Sequence, residues 1–212
     1  MSLCLTYFPF GGRAEATRLA FYIGDVKFED KHITFAEFPA YRPKAPFFTV
    51  PTLEVDGVLY AQSTALLRYA GKLSNLYPED ALMALKVDEL VMVAEDALIM
   101  LFGTLNLDDE TAVSRGTRRS FCFSIYDLAR PVETSCSTLK ELLERIEAKL
   151  KADSTSPYAM GDSITIADLQ LFAMVSIIKG EVVVGIPTDL VSKVAPAIEA
   201  LYDSVMKHPK VR

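Results

Sequence analysis

Apolar positions follow two regimes along the chain, and the change comes near residue 76. Upstream, short β-prone runs alternate with amphipathic stretches. Leu3–Tyr7 reads as a strand, and Arg13–Ile23 as a helix with Ala16, Leu19, Ala20 and Ile23 on one face. Val26–Ile33 carries a partial period-two alternation through Val26, Phe28 and Ile33. Phe35–Arg42 reads as a weak helix or turn halted by Pro43. Thr52–Val55 and Val58–Tyr60 are β-prone runs joined by Asp56-Gly57, a strong signal for a two-residue hairpin. Gln62–Leu73 returns to helical spacing. The order β-α-β-α-β-β-α allows a parallel βαβ unit, with the hairpin strands added antiparallel to the same sheet.

Downstream, strand signals fade. Leu76-Tyr77-Pro78-Glu79-Asp80 reads as a connector, and Ala81–Leu105 as a long helix with Leu85, Leu90, Val93, Ala97, Met100 and Leu101 near helical spacing. Asn106–Glu110 is polar and reads as a loop. Thr111–Cys136 has no clean period, and Pro131 should kink or end a helix there. Leu139–Lys151 is amphipathic through Leu139, Leu142, Leu143, Ile146 and Leu150. Thr165–Ile178 is apolar nearly all round, which predicts a buried central helix. Thr165-Ile-Ala-Asp168 fits a capping box at its start, with Asp in place of Glu; losing such a cap costs about 1 kcal/mol. Val191–Met206 closes the bundle, with Pro196 starting its last helix. The expected organisation is a mixed α/β domain over 1–76, a linker over 77–83 and an all-helical domain over 84–212.

Composition narrows the classes. A chain of 212 residues, half of them apolar, suits one large domain or two small ones sharing an interface. No run approaches the ~18 consecutive apolar residues of a membrane span. The start, MSLCLTYF, lacks the basic and then apolar regions of a secretory signal. Cys4, Cys122 and Cys136 are an odd set without metal-ligand spacing, which predicts a reduced, cytosolic setting. A net charge of −6 disfavours a general nucleic-acid binder, and the two histidines, His32 and His208, are too far apart in sequence to suggest a metal site.

Three segments carry chemistry: LTYFPFGGRAEATRLAFY at 5–22, VPTLEVDG at 50–57 and QSTALLRYAGK at 62–72. In this order and near this spacing they resemble the cytosolic glutathione S-transferases. The TYF…GRAE and LEVDG wording is most similar to the tyrosine-type, sigma-like branch. The resemblance covers nearly the whole chain, densest over 3–75 and then in ED at 95–96 and SITIADL at 163–169. It implies a thioredoxin-like N-terminal domain (βαβαββα) that binds glutathione and an all-helical C-terminal domain lining a pocket for the electrophile. It further implies a cytoplasmic homodimer with glutathione as co-substrate, no metal, and no nucleic-acid or membrane partner. The activity implied is conjugation of the glutathione thiolate to hydrophobic electrophiles, with peroxide reduction open to the same thiolate. A prostaglandin-type isomerase on the same scaffold is one alternative. A non-enzymatic crystallin-like or partner-binding relative is another, although it would not require Tyr7, Val50-Pro51 and Gln62-Ser63 to be intact.

The resemblance assigns roles residue by residue. A free thiol has a pKa of about 8.5, so only about 3% is thiolate at pH 7. Tyr7, held at a strand end, would donate to the bound sulfur and favour its anion. Gly11 and Gly12 stand where other branches carry a serine or cysteine, so those mechanisms lose their donor. Pro51 matches a proline that follows a cis bond and turns the Val50 backbone toward the tripeptide. Gln62 and Ser63 open a helix whose N-terminal N–H groups suit the γ-glutamyl carboxylate; the other reading is that Ser63 simply caps it. Arg13 either shapes the field around the sulfur or forms a surface ion pair with a carboxylate such as Glu15. Phe38 and Arg42 match positions where sigma-like members carry Trp and Lys near the glycyl end, and Thr49 stands where a longer polar side chain is frequent. Asp96 matches an acid that reaches the partner subunit's glutathione ammonium. Phe8, Phe10 and the Met100–Thr104 region are either walls of the electrophile pocket or core.

Overall fold

The computed structural model describes residues 1–103, 132–153, 156–180, 183 and 185–211. The polar loop expected at 106–110, Cys122 and the break expected at Pro131 lie outside the described residues. Strands β1 (Leu3–Tyr7), β2 (Glu29–His32), β3 (Thr52–Val55) and β4 (Val58–Ala61) form one sheet in the order β2-β1-β3-β4. β1 runs parallel to β2 and antiparallel to β3, and the hairpin pairs β3 with β4. Asp56 and Gly57 both take positive φ, +49° and +85°, the turn whose twist matches the strands it joins.

Several boundaries differ from the periodicity. β2 is shorter than Val26–Ile33 because its residues, Glu-Asp-Lys-His, form a largely exposed edge strand whose pairing leaves no alternating apolar face. The first helix does not start at Arg13. Gly12 has φ +54°, so a 3₁₀ turn over Gly12–Ala14 precedes α1 (Glu15–Ile23). Pro43 also does not halt the chain after α2 (Phe38–Tyr41). It enters the first turn of a 3₁₀ segment, Arg42–Lys44, where a missing N–H costs nothing. Helix α3 (Ser63–Leu73) completes the α/β part.

The remaining described helices are α4 (Ala81–Gly103), α5 (Val132–Asp153), α6 (Ile166–Lys179), α7 (Leu190–Val194) and α8 (Pro196–Met206). α6 is apolar all round because it is packed on several sides, by α1 of the first domain and by α4 and α8 of the bundle. The Ile166 N–H donates to Leu76 O at 3.0 Å, tying the start of α6 to the connector between the domains. The closing segment is split at Ala195. Pro196 starts α8, and the buried Glu147 of α5 accepts from the Ala197 N–H at 2.9 Å and the Ile198 N–H at 3.2 Å. A carboxylate from another helix thus serves as the cap that Ala195 cannot provide.

The capping box at Thr165 is present. Asp168 Oδ2 accepts from the Thr165 N–H at 2.7 Å, and the Thr165 hydroxyl accepts from the Ala167 N–H at 3.3 Å. The fully buried Asp168 carboxylate also accepts from the Ala159 N–H at 2.7 Å, so one side chain fixes the helix start and the loop before it. Asp168→Ala leaves these donors unpaired. The expected loss is about 3 kcal/mol of stability, read as a lower urea midpoint at unchanged m-value. Asp168→Asn, which keeps one acceptor oxygen, loses less. A loss under about 1 kcal/mol for the alanine variant contradicts the double role.

Candidate functional site

Three segments meet at one end of the sheet. Tyr7 is the last residue of β1, and the β1–β3 register ends at Thr6 opposite Thr52. One step further, Pro51 comes opposite Tyr7. The β3–β4 register pairs Thr52 with Ala61, so Gln62 and Ser63 leave β4 at the same end. The Val50-Pro51 bond is cis, and Val50 is half-buried. Gln62 is exposed with φ +79°, which turns the chain from β4 directly into α3.

Tyr7 is 3% exposed, enclosed edge-on by Phe8 at 5.2 Å and Phe10 at 5.5 Å between ring centroids. The Arg13 backbone N–H points at its hydroxyl from 3.4 Å. Gly12 is needed there: a Cβ on it would sit 2.8 Å from Tyr7 Oη. Burial pushes the phenol up to about 12, while the Arg13 N–H and the charges of Arg13 and Arg18 pull it down. At neutral pH the hydroxyl therefore keeps its proton. It can donate to an anion, but it cannot act as a base.

Arg13 forms an ion pair, but its partner is not Glu15. Its Nε lies 3.1 Å from Glu95 Oε1 on α4, with the N–H off the line to the oxygen, and its guanidinium stands 5.2 Å from the Phe102 ring centroid. Glu15 instead meets Arg18 at 3.4 Å. Glu95 also accepts from Gln170 Nε2 at 3.2 Å, and the nearby Ser63 side chain favours its charged form. Burial holds its carboxyl above the ordinary range, opposed by Arg13. Ser63 is the first residue of α3 and not its cap: Gln62 occupies the N-cap position without a side-chain bond. Glu95 is the residue that sequence reasoning missed. The signal was the adjacent pair Glu95-Asp96, which a helix splits by about 100°, one acid facing inward and one outward. Asp96 is exposed, on the same stripe of α4 as exposed Leu82, Leu85 and Met92.

The aromatic candidates separate by burial. Phe8 is 2% exposed and packs on Phe38, itself 6% exposed, with centroids 5.6 Å apart; both belong to the core. Phe10 is half-buried and stacks parallel to Phe8 at 5.8 Å. Phe35, which the sequence reading did not single out, is 50% exposed and 4.6 Å from Phe8. Among the described residues, Phe10 and Phe35 leave apolar surface exposed in the aromatic cluster beside Tyr7. Met100 is half-buried near the end of α4, while Thr104 lies outside the described residues. Arg42 and Thr49, both half-buried, occupy the segment that leads from α2 to Val50. Among the described residues, no group of three or more His, Cys, Asp or Glu is placed to hold a metal ion.

Residues 3–72 match the model of the glutathione S-transferase N-terminal domain, and residues 126–212 match that of a glutathione S-transferase C-terminal domain. The chain is 33% identical to glutathione S-transferase 1 of Ascaris suum over 165 residues, 78% of this chain and 74% of that protein. It is 40% identical to the hematopoietic prostaglandin D synthase of Gallus gallus over 98 residues, 46% of this chain and 49% of that one. The crystal structure of the glutathione S-transferase from Ascaris lumbricoides superposes with a TM-score of 0.73 at 28% identity, over 100% of this chain and 94% of that one. A phenol donor at the end of a four-stranded mixed sheet, a cis-proline strand beside it and a helix start facing both are thus found in a chain that belongs to the glutathione S-transferase family.

Proposed function

We propose that this glutathione transferase activates its co-substrate through the Tyr7 hydroxyl, which donates to the thiolate of bound glutathione. The observation that carries the reading is the placement of a buried, protonated phenol at the sheet end where Val50-Pro51 and Gln62-Ser63 converge. Lowering a thiol pKa by two units needs about 2.7 kcal/mol of preference for the anion. A phenolic donor in a site shielded from water supplies a large share of it. The Val50 N–H and C=O pair with the cysteinyl backbone as an added strand. The γ-glutamyl carboxylate lies at the start of α3, on its free N–H groups and the Gln62 amide. The Ser63 hydroxyl, at the first position of α3, joins them. Arg13, anchored by Glu95, adds positive field near the sulfur. Arg42 and Thr49 flank the glycyl end, and Phe38 supports that wall from the core.

The thiolate attacks an apolar electrophile lying on Phe10 and Phe35. The protein contributes activation and orientation, and glutathione supplies the nucleophile. The same thiolate would serve an endoperoxide isomerase, and similarity to a prostaglandin D synthase fits that alternative without favouring it. We infer a cytoplasmic homodimer. No helix among the described residues is long and apolar enough to cross a membrane, and the cysteine content suits a reducing compartment. Leu82, Leu85 and Met92 give α4 an exposed apolar stripe that a second copy would cover, with Asp96 at its end reaching the partner's glutathione ammonium.

Two predictions test this reading. Tyr7→Phe keeps the fold and binds glutathione within a few-fold of wild type. Its kcat near neutral pH falls about 10- to 100-fold, and the ascending limb of log kcat/KM moves up toward pH ~8.5, where an unassisted thiol ionises. An unchanged limb removes Tyr7 from the mechanism. Met92→Glu yields a monomer by light scattering, while Asp96→Ala stays dimeric and raises the KM for glutathione several-fold. A monomeric wild type, or an unaltered KM in the Asp96 variant, means that α4 does not complete the partner's site.

A further inference from the structure

Arg18 is an unusual residue to find inside α1. It is 7% exposed, and an arginine so buried must spend its donors on the protein. Its Nε meets both oxygens of Asp30, at 3.1 and 2.9 Å. Asp30 in turn lies 3.3 Å from His32 Nε2 on the exposed edge strand. The other end of the guanidinium faces backbone. Nη1 donates to Phe10 O at 2.9 Å and Gly11 O at 3.4 Å, and also approaches Glu15 at 3.4 Å; Nη2 donates to Phe8 O at 3.3 Å. The carbon of the fork stands 5.9 Å from the Tyr7 ring centroid.

The carbonyls it collects belong to the connection between Tyr7 and the Arg13 N–H. That connection contains no regular element before Gly12; its one internal backbone bond, from the Phe10 N–H to Phe8 O at 2.8 Å, leaves the Phe10 and Gly11 carbonyls to Arg18. We propose that Arg18 is a positioning residue for Tyr7: by gathering the Phe8, Phe10 and Gly11 carbonyls and bracing itself on Asp30, it folds the 8–12 loop so that Gly12 and the Arg13 N–H close on the phenolic oxygen. A planar fork with five donors suits this task, and the compact ammonium of lysine does not. The charge of Arg18 adds to the effect, since with Arg13 it opposes the burial that pushes the Tyr7 phenol up. The inference rests on the reading of Tyr7 given above and extends it to a residue that touches neither substrate.

The test compares wild type with Arg18→Lys, Tyr7→Phe and the double variant. In each, the pKa of bound glutathione is titrated by thiolate absorbance and kcat/KM is profiled against pH. Arg18→Lys keeps the charge and loses the span. Its expected signature is glutathione affinity within threefold of wild type, a kcat at least tenfold lower below neutral pH, and a thiol pKa raised by about one unit. Because Arg18 acts through Tyr7, the double variant is no worse than Tyr7→Phe alone. A folded Arg18→Lys with the wild-type profile, or additive losses in the double variant, overturns the proposal. If Arg18→Lys does not fold, Asp30→Asn carries the test: it removes the charged brace and leaves the fork, so a thiol pKa shifted in the same sense supports the role and an unshifted one ends it. If Tyr7→Phe itself leaves the thiol pKa unmoved, both readings fall together. A shift in Tyr7→Phe with none in Arg18→Lys removes Arg18 alone.

Discussion

The site depends on one buried O–H group keeping its proton at the end of a β-strand. Three constraints converge on it. The strand places Tyr7 between β2 and β3 in the middle of the sheet, so the ring cannot swing away. The aromatic cluster removes water, which raises the cost of ionising the phenol and makes it a donor throughout the neutral range. The glycine at position 12 and the Arg13 N–H bring backbone up to the oxygen without a side chain in the way. A hydrogen bond made in so dry a setting is stronger than the same bond in water, and it favours whichever form of its acceptor is charged.

A second layer of charge joins the two domains around this point. Glu95 comes from the bundle, Arg13 from the turn after β1, Ser63 from the start of α3 and Gln170 from the central helix. A buried carboxylate is tolerated only when its oxygens are met, and here each partner comes from a different element. The same group of contacts therefore holds the relative placement of sheet and bundle and orients the Arg13 side chain. Asp168 plays the comparable part at the far side of the domain junction, where one carboxylate fixes both the start of α6 and the loop leading into it.

Local pattern in the sequence foretold much of this, and contacts between distant residues supplied the rest. β1 and the Asp56-Gly57 hairpin were legible because a central strand is apolar along its length and a positive-φ turn demands particular residues. α6 was legible because burial on several sides leaves no polar face. β2 was overread because an edge strand needs no apolar alternation. The partner of Arg13 was misjudged because Glu15, near in sequence, lies on the wrong side of the turn, while Glu95 is brought in only by the packing of α4. Phe8 and Phe10 could not be told apart in the sequence, since only the fold decides which of two neighbouring rings faces inward. The loop geometry that Arg18 imposes left no trace in any motif, as its acceptors are backbone carbonyls that every residue possesses.

The central claim is that the Tyr7 oxygen meets the sulfur of the bound tripeptide. Its most direct test is a crystal structure of the protein soaked with glutathione, in which the Oη-to-sulfur distance is measured. The account predicts the sulfur within hydrogen-bonding reach of Tyr7 Oη, with the cysteinyl backbone paired to Val50. A sulfur pointing away from the phenol, or a tripeptide bound elsewhere on the sheet, contradicts it.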